Sequence, residues 1–325
     1  MLKDTTLLYF YEVARCGSIR QAAERLHVSP SAISRMITKA EHQFQAELFE
    51  RRSKGMNLTA AGRILADQLR GVMTQLHDAR AQIDELRGLR RGEVRLYCIE
   101  GVVMNVVPGA VASFNARHPN VSFRINVGST DRIVETLQSD ESDLGITFNM
   151  RKLAGIEVLF TFSQPLHLVV APDHPLSRKG RVSLAEIVGY PVVMPDQTFG
   201  LRAIFDRALE ACGIDCRLLI TTNSVVLTRA SARSGAAVTL SPPFAAEPEV
   251  SSGQVVIVPV KEQRMLIGTT SICKRSGRNL SAAATEFLGD LQGQFEALSQ
   301  RDKDVALRRR RTSLHGRKRP SGRSQ

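Results

Sequence analysis

The sequence predicts a multi-domain α/β chain, and three observations carry that prediction. Two short helical segments joined by a tight turn fall within residues 18–35 and are followed by a basic hairpin. Apolar residues then recur at Leu65, Leu69, Val72, Leu76, Ala79, Ile83 and Leu86, alternating steps of four and three. From Glu93 the period changes again, to apolar runs of strand length alternating with helical ones.

Within SIRQAAERLHVSPSAISR (18–35), Gly17 can end a preceding helix in the left-handed conformation. Ser18 followed by Gln21 has capping-box spacing. Ala22, Ala23 and Leu26 form an apolar stripe, and His27 and Val28 form the turn. Ser29-Pro30 opens the second helix, with Ser at the N-cap and Pro where a missing N–H costs nothing. Ile33, Ile37, Ala40 and Phe44 share one face, and Ser31, Ser34, Arg35 and Thr38 the opposite one. This is the build of a helix-turn-helix DNA reader. Small hydroxyls let such a helix sit deep in a major groove, and Arg35 can reach a guanine edge or a phosphate. A plain amphipathic hairpin would show the same pattern, but FERRSKGMNL (49–58) reads as a wing with a basic tip at Gly55. Arg51, Arg52 and Lys54 there suit phosphate or minor-groove contact. Upstream, Leu7, Leu8, Phe10, Tyr11, Val13 and Ala14 make a helix able to pack behind the pair.

After Thr59, a helix cap, the heptad series predicts a helix to about Leu89. Its spacing is narrower than a globular face needs. About thirty residues at ~1.5 Å each span roughly 45 Å, too long to lie on a small domain. It reads as a dimerisation and linker helix, ended by Arg90-Arg91-Gly92.

Charge and composition narrow the partners. The net charge of +12 is uneven: residues 1–91 carry 15 Lys and Arg against 10 Asp and Glu, 92–300 carry 19 against 20, and 301–325 carry 10 against 2. Nucleic acid is the expected partner of the two ends, not of the near-neutral middle. The 325 residues, 43% hydrophobic, suffice for two domains with cores of their own. The five cysteines have no metal spacing and read as reduced thiols. With no signal layout in MLKDTTLLYF and no membrane-length apolar run, the expected location is the cytoplasm, with no membrane partner.

Strands are expected at 94–99, 121–127, 144–148, 166–171, 191–194, 218–221, 237–240, 255–260 and 265–272. Helices are expected at 102–117, 131–139, 184–187, 200–211, 224–234 and 280–298, with a capping box at Ser183 and Glu186. The alternation argues for a largely parallel sheet.

Taken together, AAERLHVSPSAISRMI (22–37), LFERRSKGMNLTAAG (48–62) and the order of the parts resemble a LysR-type transcriptional regulator. The shorter strings RHP (117–119), VAPDHPL (170–176) and TNS (222–224) extend the resemblance, which covers residues 1 to about 298. It implies a winged DNA-binding domain (1–62), a linker helix (63–91) and an effector-binding domain (92–298) similar to periplasmic solute-binding proteins. Its first subdomain would be 93–164 plus 268–298, its second 165–267. A homodimer or homotetramer, an inverted-repeat operator, a small-molecule effector and contact with RNA polymerase at promoters of a bacterial nucleoid are likewise implied. No metal or cofactor is.

By position, the implied DNA-facing residues are Arg20, Gln21, Pro30, Ser31, Ser34, Arg35 and Thr38, with Arg51, Arg52 and Lys54 at the wing. The implied dimer seam is Leu65, Leu69, Val72, Leu76, Ile83 and Leu86. Many members carry Gln where this chain has Pro30, so a long amide able to reach adenine is absent. In sheets of this kind ligands sit beyond strand carboxyl ends, near helix N-termini. The candidates are Glu100, Gly101, Ser129, Thr130 and Asn149 in the first subdomain. Thr198, Phe199, Gly200, Arg202, Thr222, Asn223 and Ser224 are those of the second. The alternative for each is an ordinary cap or turn, and Ser, Thr and Asn at such positions are more often caps than ligand contacts. Two readings of Glu100 stay open: it binds a ligand amine or hydroxyl or pairs with Arg202 (Arg132 and Arg151 being alternatives), or it caps a helix dipole and faces solvent.

An enzyme is disfavoured, since HExxH, a phosphate loop, a dinucleotide glycine motif and G-x-S-x-G are all absent from the sequence. A transport solute-binding protein would not carry a DNA reader, and a constitutive nucleoid protein would not need the neutral α/β domain. The basic stretch 299–325 lies outside the family pattern and is expected to be a disordered tail. It either adds non-specific DNA affinity or is a solvated extension without a role.

Overall fold

The computed structural model describes residues 4–52, 55–86 and 92–315. The chain divides into two compact units, Met1–Gly88 and Leu89–Gln325.

The first unit contains α1 (Asp4–Cys16), α2 (Ile19–Leu26), α3 (Pro30–Phe44), an antiparallel hairpin of β1 (Phe49–Arg52) and β2 (Gly55–Leu58), and α4 (Ala60–Leu86). Gly17, at φ 64°, ends α1, and its amide donates to the Val13 carbonyl at 2.9 Å. Ser18 Oγ accepts the Gln21 amide at 3.4 Å. The expected reciprocal bond from Gln21 is not made: its side chain stands in solvent, where water serves it as well. Ser29 Oγ accepts the Ala32 amide, with Pro30 in the first turn of α3. The wing is tied back to the helices, because the Met56 amide donates to the Gly17 carbonyl at 2.9 Å. Gly55 (φ 124°) makes that approach feasible, since a Cβ there would stand 2.7 Å from the Gly17 oxygen.

Phe10, Val13, Ala22, Ala23, Ile33, Ile37, Ala40, Leu48 and Phe49 form the core of this unit. Phe44, expected on the same buried face, is 40% exposed. It is the last residue of α3, where Gln45 turns left-handed and leads the chain away. Thr59 Oγ1 accepts the Gly62 amide and so caps α4. The expected seam divides. Leu69 is 5% exposed and, with Leu65 and Ala66, packs into the winged unit itself, whereas Val72 (48%) and Leu76 (61%) are exposed. In the first turns of α4 the seam positions are taken up by the core of the winged unit, so the seam itself stands open only beyond them, at Val72 and Leu76. The side chains of Ile83 and Leu86 lie outside the described residues.

The second unit has two subdomains. The first holds a five-stranded sheet of order β4-β3-β5-β12-β6. These are β3 (Gly92–Cys98), β4 (Val121–Val127), β5 (Leu144–Phe148), β6 (Ile156–Pro165) and β12 (Ile267–Arg275). α5 (Val106–Arg117), α6 (Thr130–Gln138) and α11 (Ala282–His315) accompany this sheet. The second subdomain holds β7 (His167–Val170), α7 (Leu184–Ile187), β8 (Val192–Pro195), α8 (Gly200–Cys212), β9 (Leu218–Thr222) and α9 (Val225–Arg233). It continues with β10 (Thr239–Ser241), α10 (Pro243–Ser251) and β11 (Val256–Val258). The capping box at Ser183 and Glu186 is complete.

Three expectations are corrected here. The sheets are mixed rather than largely parallel: β3 pairs in parallel with β4 and β5, while β12 is antiparallel to β5 and β6, and β7 is antiparallel to β10 and β11. The reason is connectivity. β6 carries the chain out to the second subdomain and β12 carries it back, with the crossovers tied by the Leu166 amide on the Leu266 carbonyl at 2.7 Å. β6 and α10 were not foreseen. β6 carries Ile156, Val158, Phe160 and Phe162 at alternate positions, a strand period present in the sequence, whereas α10 contains Pro248 inside it, which argues against a helix. Last, α11 continues past residue 298 to His315, so 299–315 is helical backbone. That stretch has neither Gly nor Pro, and five of its residues are Arg, a good helix former. Residues 316–325 lie outside the described residues.

The first subdomain is also pinned by charge. Arg278, 3% exposed, donates to Asp140 Oδ1 (3.2 Å), the Ser142 carbonyl (2.8 Å) and Asp143 Oδ1 (2.5 Å). Arg95 grips Asp143 at 2.7 Å, and Arg275 holds Asp140 at 2.8 Å. The turn between α6 and β5, with Asp140 at φ 55°, is fixed by this buried network.

Candidate nucleic-acid interface and ligand cleft

On the first unit, Pro30, Ser31, Arg35 and Thr38 are exposed and Ser34 is half-buried along one face of α3. The opposite side, through Ile33, Ile37 and Ala40, locks the helix to the core. Thr38 Oγ1 donates to the Ser34 carbonyl at 3.2 Å, and Ser31 Oγ lies 3.1 Å from Ser29 Oγ, so these hydroxyls sit close to the helix and leave the groove-facing side low. His42, exposed four residues beyond Thr38, extends the face; helical spacing alone could have found it. Arg20 is exposed beside Glu24 at 3.3 Å, and Gln21 is exposed next to it. Arg25 takes no part in this face: it reaches back to the buried Glu12 at 3.3 Å and ties α2 to α1. The side chains of Arg51 and Arg52, and all of Lys54, lie outside the described residues.

In the second unit a cleft opens between the two subdomains, with about 560 Å³ of empty space when the solvent at its mouth is included. Glu100, Gly101, Ser129, Thr130, Thr198, Phe199 and Gly200, all expected there, line it. Asn149, Arg202, Thr222, Asn223 and Ser224 do not. Asn149 instead aims Nδ2 at the Gly200 carbonyl, 3.5 Å away. Arg202 is turned along its own helix onto Asp206, at 2.7 and 2.9 Å. Thr222 Oγ1 accepts the Ser224 amide, making the turn before α9. Gly200 is a point of close approach between the subdomains, since a Cβ there would lie 2.7 Å from Asn149 Cβ and 2.8 Å from the Phe148 carbonyl.

The two readings of Glu100 resolve in favour of capping, though of a helix in the other subdomain. Its Oε1 accepts Ser224 Oγ at 2.9 Å and its Oε2 accepts the Val225 amide at 2.7 Å, at the N-terminus of α9. Arg202 is not its partner, and Arg132 is held by Glu135. A carboxylate at the positive end of a helix is stabilised by the dipole and by the free amides. Glu100→Gln should therefore weaken the cap by about 0.5–2 kcal/mol. Hydrogen exchange at the amides of 225–227 should speed up, and unchanged exchange there would show that the cap is idle.

The other polar groups at the rim are also engaged locally. Ser129 Oγ accepts the Arg132 amide, Thr130 Oγ1 bonds the Phe148 carbonyl and amide at 3.2 Å, and Thr198 Oγ1 donates to Asp196 at 2.5 Å. Sequence reasoning missed the far wall: Val225 and Arg229 on α9, and Ser241, Pro242, Phe244 and Ala245 around the start of α10. Arg229 is only 2% exposed, yet nothing in LTRASAR distinguishes it from the exposed Arg233. Its partner Glu249, at 2.8 Å, lies twenty residues on, in the helix that was not foreseen.

Among the described residues there is no group of three or more His, Cys, Asp or Glu that could hold a metal ion, and no helix is long and apolar enough to cross a membrane. Burial pushes the Cys98 thiol up to about 12 and the Cys273 thiol up to about 11, so both stay protonated at neutral pH and unreactive as nucleophiles.

An exposed reading helix on a winged unit, carried in one chain with a two-subdomain ligand cleft, defines a DNA-binding transcriptional regulator with an effector-binding domain. Comparison with known proteins agrees. The bacterial regulatory helix-turn-helix model of the lysR family matches residues 5–63, and the LysR substrate binding domain model matches residues 87–296. The chain belongs to the LysR family of transcriptional regulators. It is 28% identical over 288 residues to a RuBisCO operon transcriptional regulator of Allochromatium vinosum, covering 86% of this chain and 92% of that one. It is 27% identical over 292 residues to the transcriptional activator protein LysR of Escherichia coli (strain K12), covering 89% and 92%. Its fold is shared with full-length CbnR in complex with target DNA, at a TM-score of 0.61 and 20% identity, covering 90% of this chain and 100% of that one.

Proposed function

We propose that this regulator works as a homodimer, or a pair of dimers, reading an inverted-repeat operator, and that a small molecule in the subdomain cleft sets its effect on RNA polymerase. The observation that carries the pairing is the exposed apolar stretch of α4, where Val72 and Leu76 stand in solvent on a helix whose first turns are already packed. A second copy of the same helix would cover it, at heptad spacing. Reading falls to Ser31, Ser34, Arg35 and Thr38, supported by their shared face on α3, with Pro30 at the helix start, Arg20 and Gln21 beside it, and the wing residues Arg51, Arg52 and Lys54 on the backbone. Glu100, Gly101, Ser129, Thr130, Thr198, Phe199 and Gly200 surround the effector, a role supported by their place on the cleft wall. The DNA partner makes a cytoplasmic, nucleoid-bound location the natural one. Its action is by binding rather than catalysis, in keeping with the local engagement of Glu100 and the cleft hydroxyls.

The test of pairing is the Val72→Asn, Leu76→Asn double variant. By sedimentation, the parent should run as a dimer or larger and the variant should shift toward monomer. Affinity for a two-half-site DNA should fall while affinity for one half-site holds. An unchanged mass would remove α4 as the pairing element.

A further inference from the structure

Taking the cleft as the effector site, we propose that its ligand is a carboxylate on a compact apolar body, held by Arg229 and by the open N-terminus of α8. Arg229 is the buried cation of this cleft, and Glu249 takes only its Nε, at 2.8 Å. Among the described residues no acceptor bonds either Nη group, though the side chain is 98% buried. A guanidinium edge in that state is a fork matched to a carboxylate.

The second observation is a contrast between two helix starts on the same cleft. At the start of α9 the Val225 amide donates to the Glu100 carboxylate and the Leu227 amide to Ser224 Oγ. The thirteen-residue α8 begins at Phe199, which supplies no side-chain cap, and the Gly200 and Leu201 amides have no acceptor among the described residues. Both residues line the cleft. An anion arriving from solvent would do for α8 what Glu100 does for α9.

The rest of the wall sets the body of the ligand. Ile99, Phe148, Leu201, Val225 and Phe244 present carbon, and the rim hydroxyls are already bonded within the protein. An amine would meet a single lining carboxylate, Glu100, each of whose oxygens already accepts one bond from the start of α9. A phosphate dianion would bring two charges into an apolar cleft against one guanidinium already shared with Glu249, which desolvation disfavours.

The experiment is calorimetric titration of the full chain with benzoate and cyclohexanecarboxylate against the matched neutral probes benzamide and cyclohexanecarboxamide. The carboxylates should bind at least about tenfold more tightly, the worth of a charge-assisted contact. The Arg229→Met, Glu249→Met double variant, which removes the buried pair as a unit, should abolish the preference. Gly101→Leu puts a branched side chain on the cleft wall, at a position where a Cβ meets nothing nearer than Ala245 Cβ at 3.7 Å, and it should weaken every probe. Equal binding of acids and amides, both blocked by Gly101→Leu, would overturn the carboxylate and leave the cleft reading standing. A preference for acids untouched by Gly101→Leu would place the anion site elsewhere and overturn the cleft reading too. No saturable binding of either acid below about 10 mM also overturns the proposal. If the double variant does not fold, the acid–amide comparison and Gly101→Leu decide the matter.

Discussion

Replacing Arg35 by Ala should lower affinity for the operator by roughly 5- to 150-fold, the worth of one good base contact of about 1–3 kcal/mol. Affinity for random DNA should fall much less, by about the share of one phosphate contact. Arg35 is the exposed cation at the centre of the α3 face, flanked by Ser31, Ser34 and Thr38, whose short side chains let the backbone approach the bases. The substitution leaves the fold alone, because α3 is held from its other side by Ile33, Ile37 and Ala40. With Pro30 in place of a long amide, few other side chains on this face can read a base edge, and DNA shape is expected to carry part of the specificity. The check is parallel titration of operator and scrambled duplexes at one salt concentration. Equal loss on both would show that Arg35 contacts backbone only.

Arg278→Met should destabilise the effector-binding domain by about 3 kcal/mol, near the lower end for breaking a buried ion pair. Arg278 joins Asp140 and Asp143, both buried, and its removal leaves Asp143 to Arg95 and Asp140 to Arg275. That residual pairing keeps the loss from reaching the upper end. Hydrogen exchange should rise across 139–148, the turn and strand that the network fixes, and stay unchanged in 19–44. A domain as stable as the parent, with unchanged exchange at 139–148, would mean that Arg95 and Arg275 hold the turn alone.

The legible parts of this chain are those where local chemistry and long-range packing agree. Ser29-Pro30 at a helix start, Gly17 at a helix end and the Ser183–Glu186 capping box each act within a few residues and stand as expected. The failures come from distance. Leu65 and Leu69 keep perfect heptad spacing yet bury against α1 and the wing, because periodicity reports a face and not what covers it. The direction of β12 depends on a crossover more than a hundred residues after β5. Glu100 had the right chemistry, but its partner is 125 residues away on another subdomain, and local spacing cannot reveal that. Arg229 was invisible for the same reason, being one arginine among several until α10 places Glu249 beside it.

The central claim is that this chain reads DNA as a symmetric pair. Selecting bound fragments from a random DNA pool with the purified full chain, and sequencing them, tests it most directly. The enriched sites should consist of two inverted half-sites whose centres lie about one helical turn, or a multiple of it, apart. Enrichment of isolated half-sites, or binding with no sequence enrichment, would contradict it.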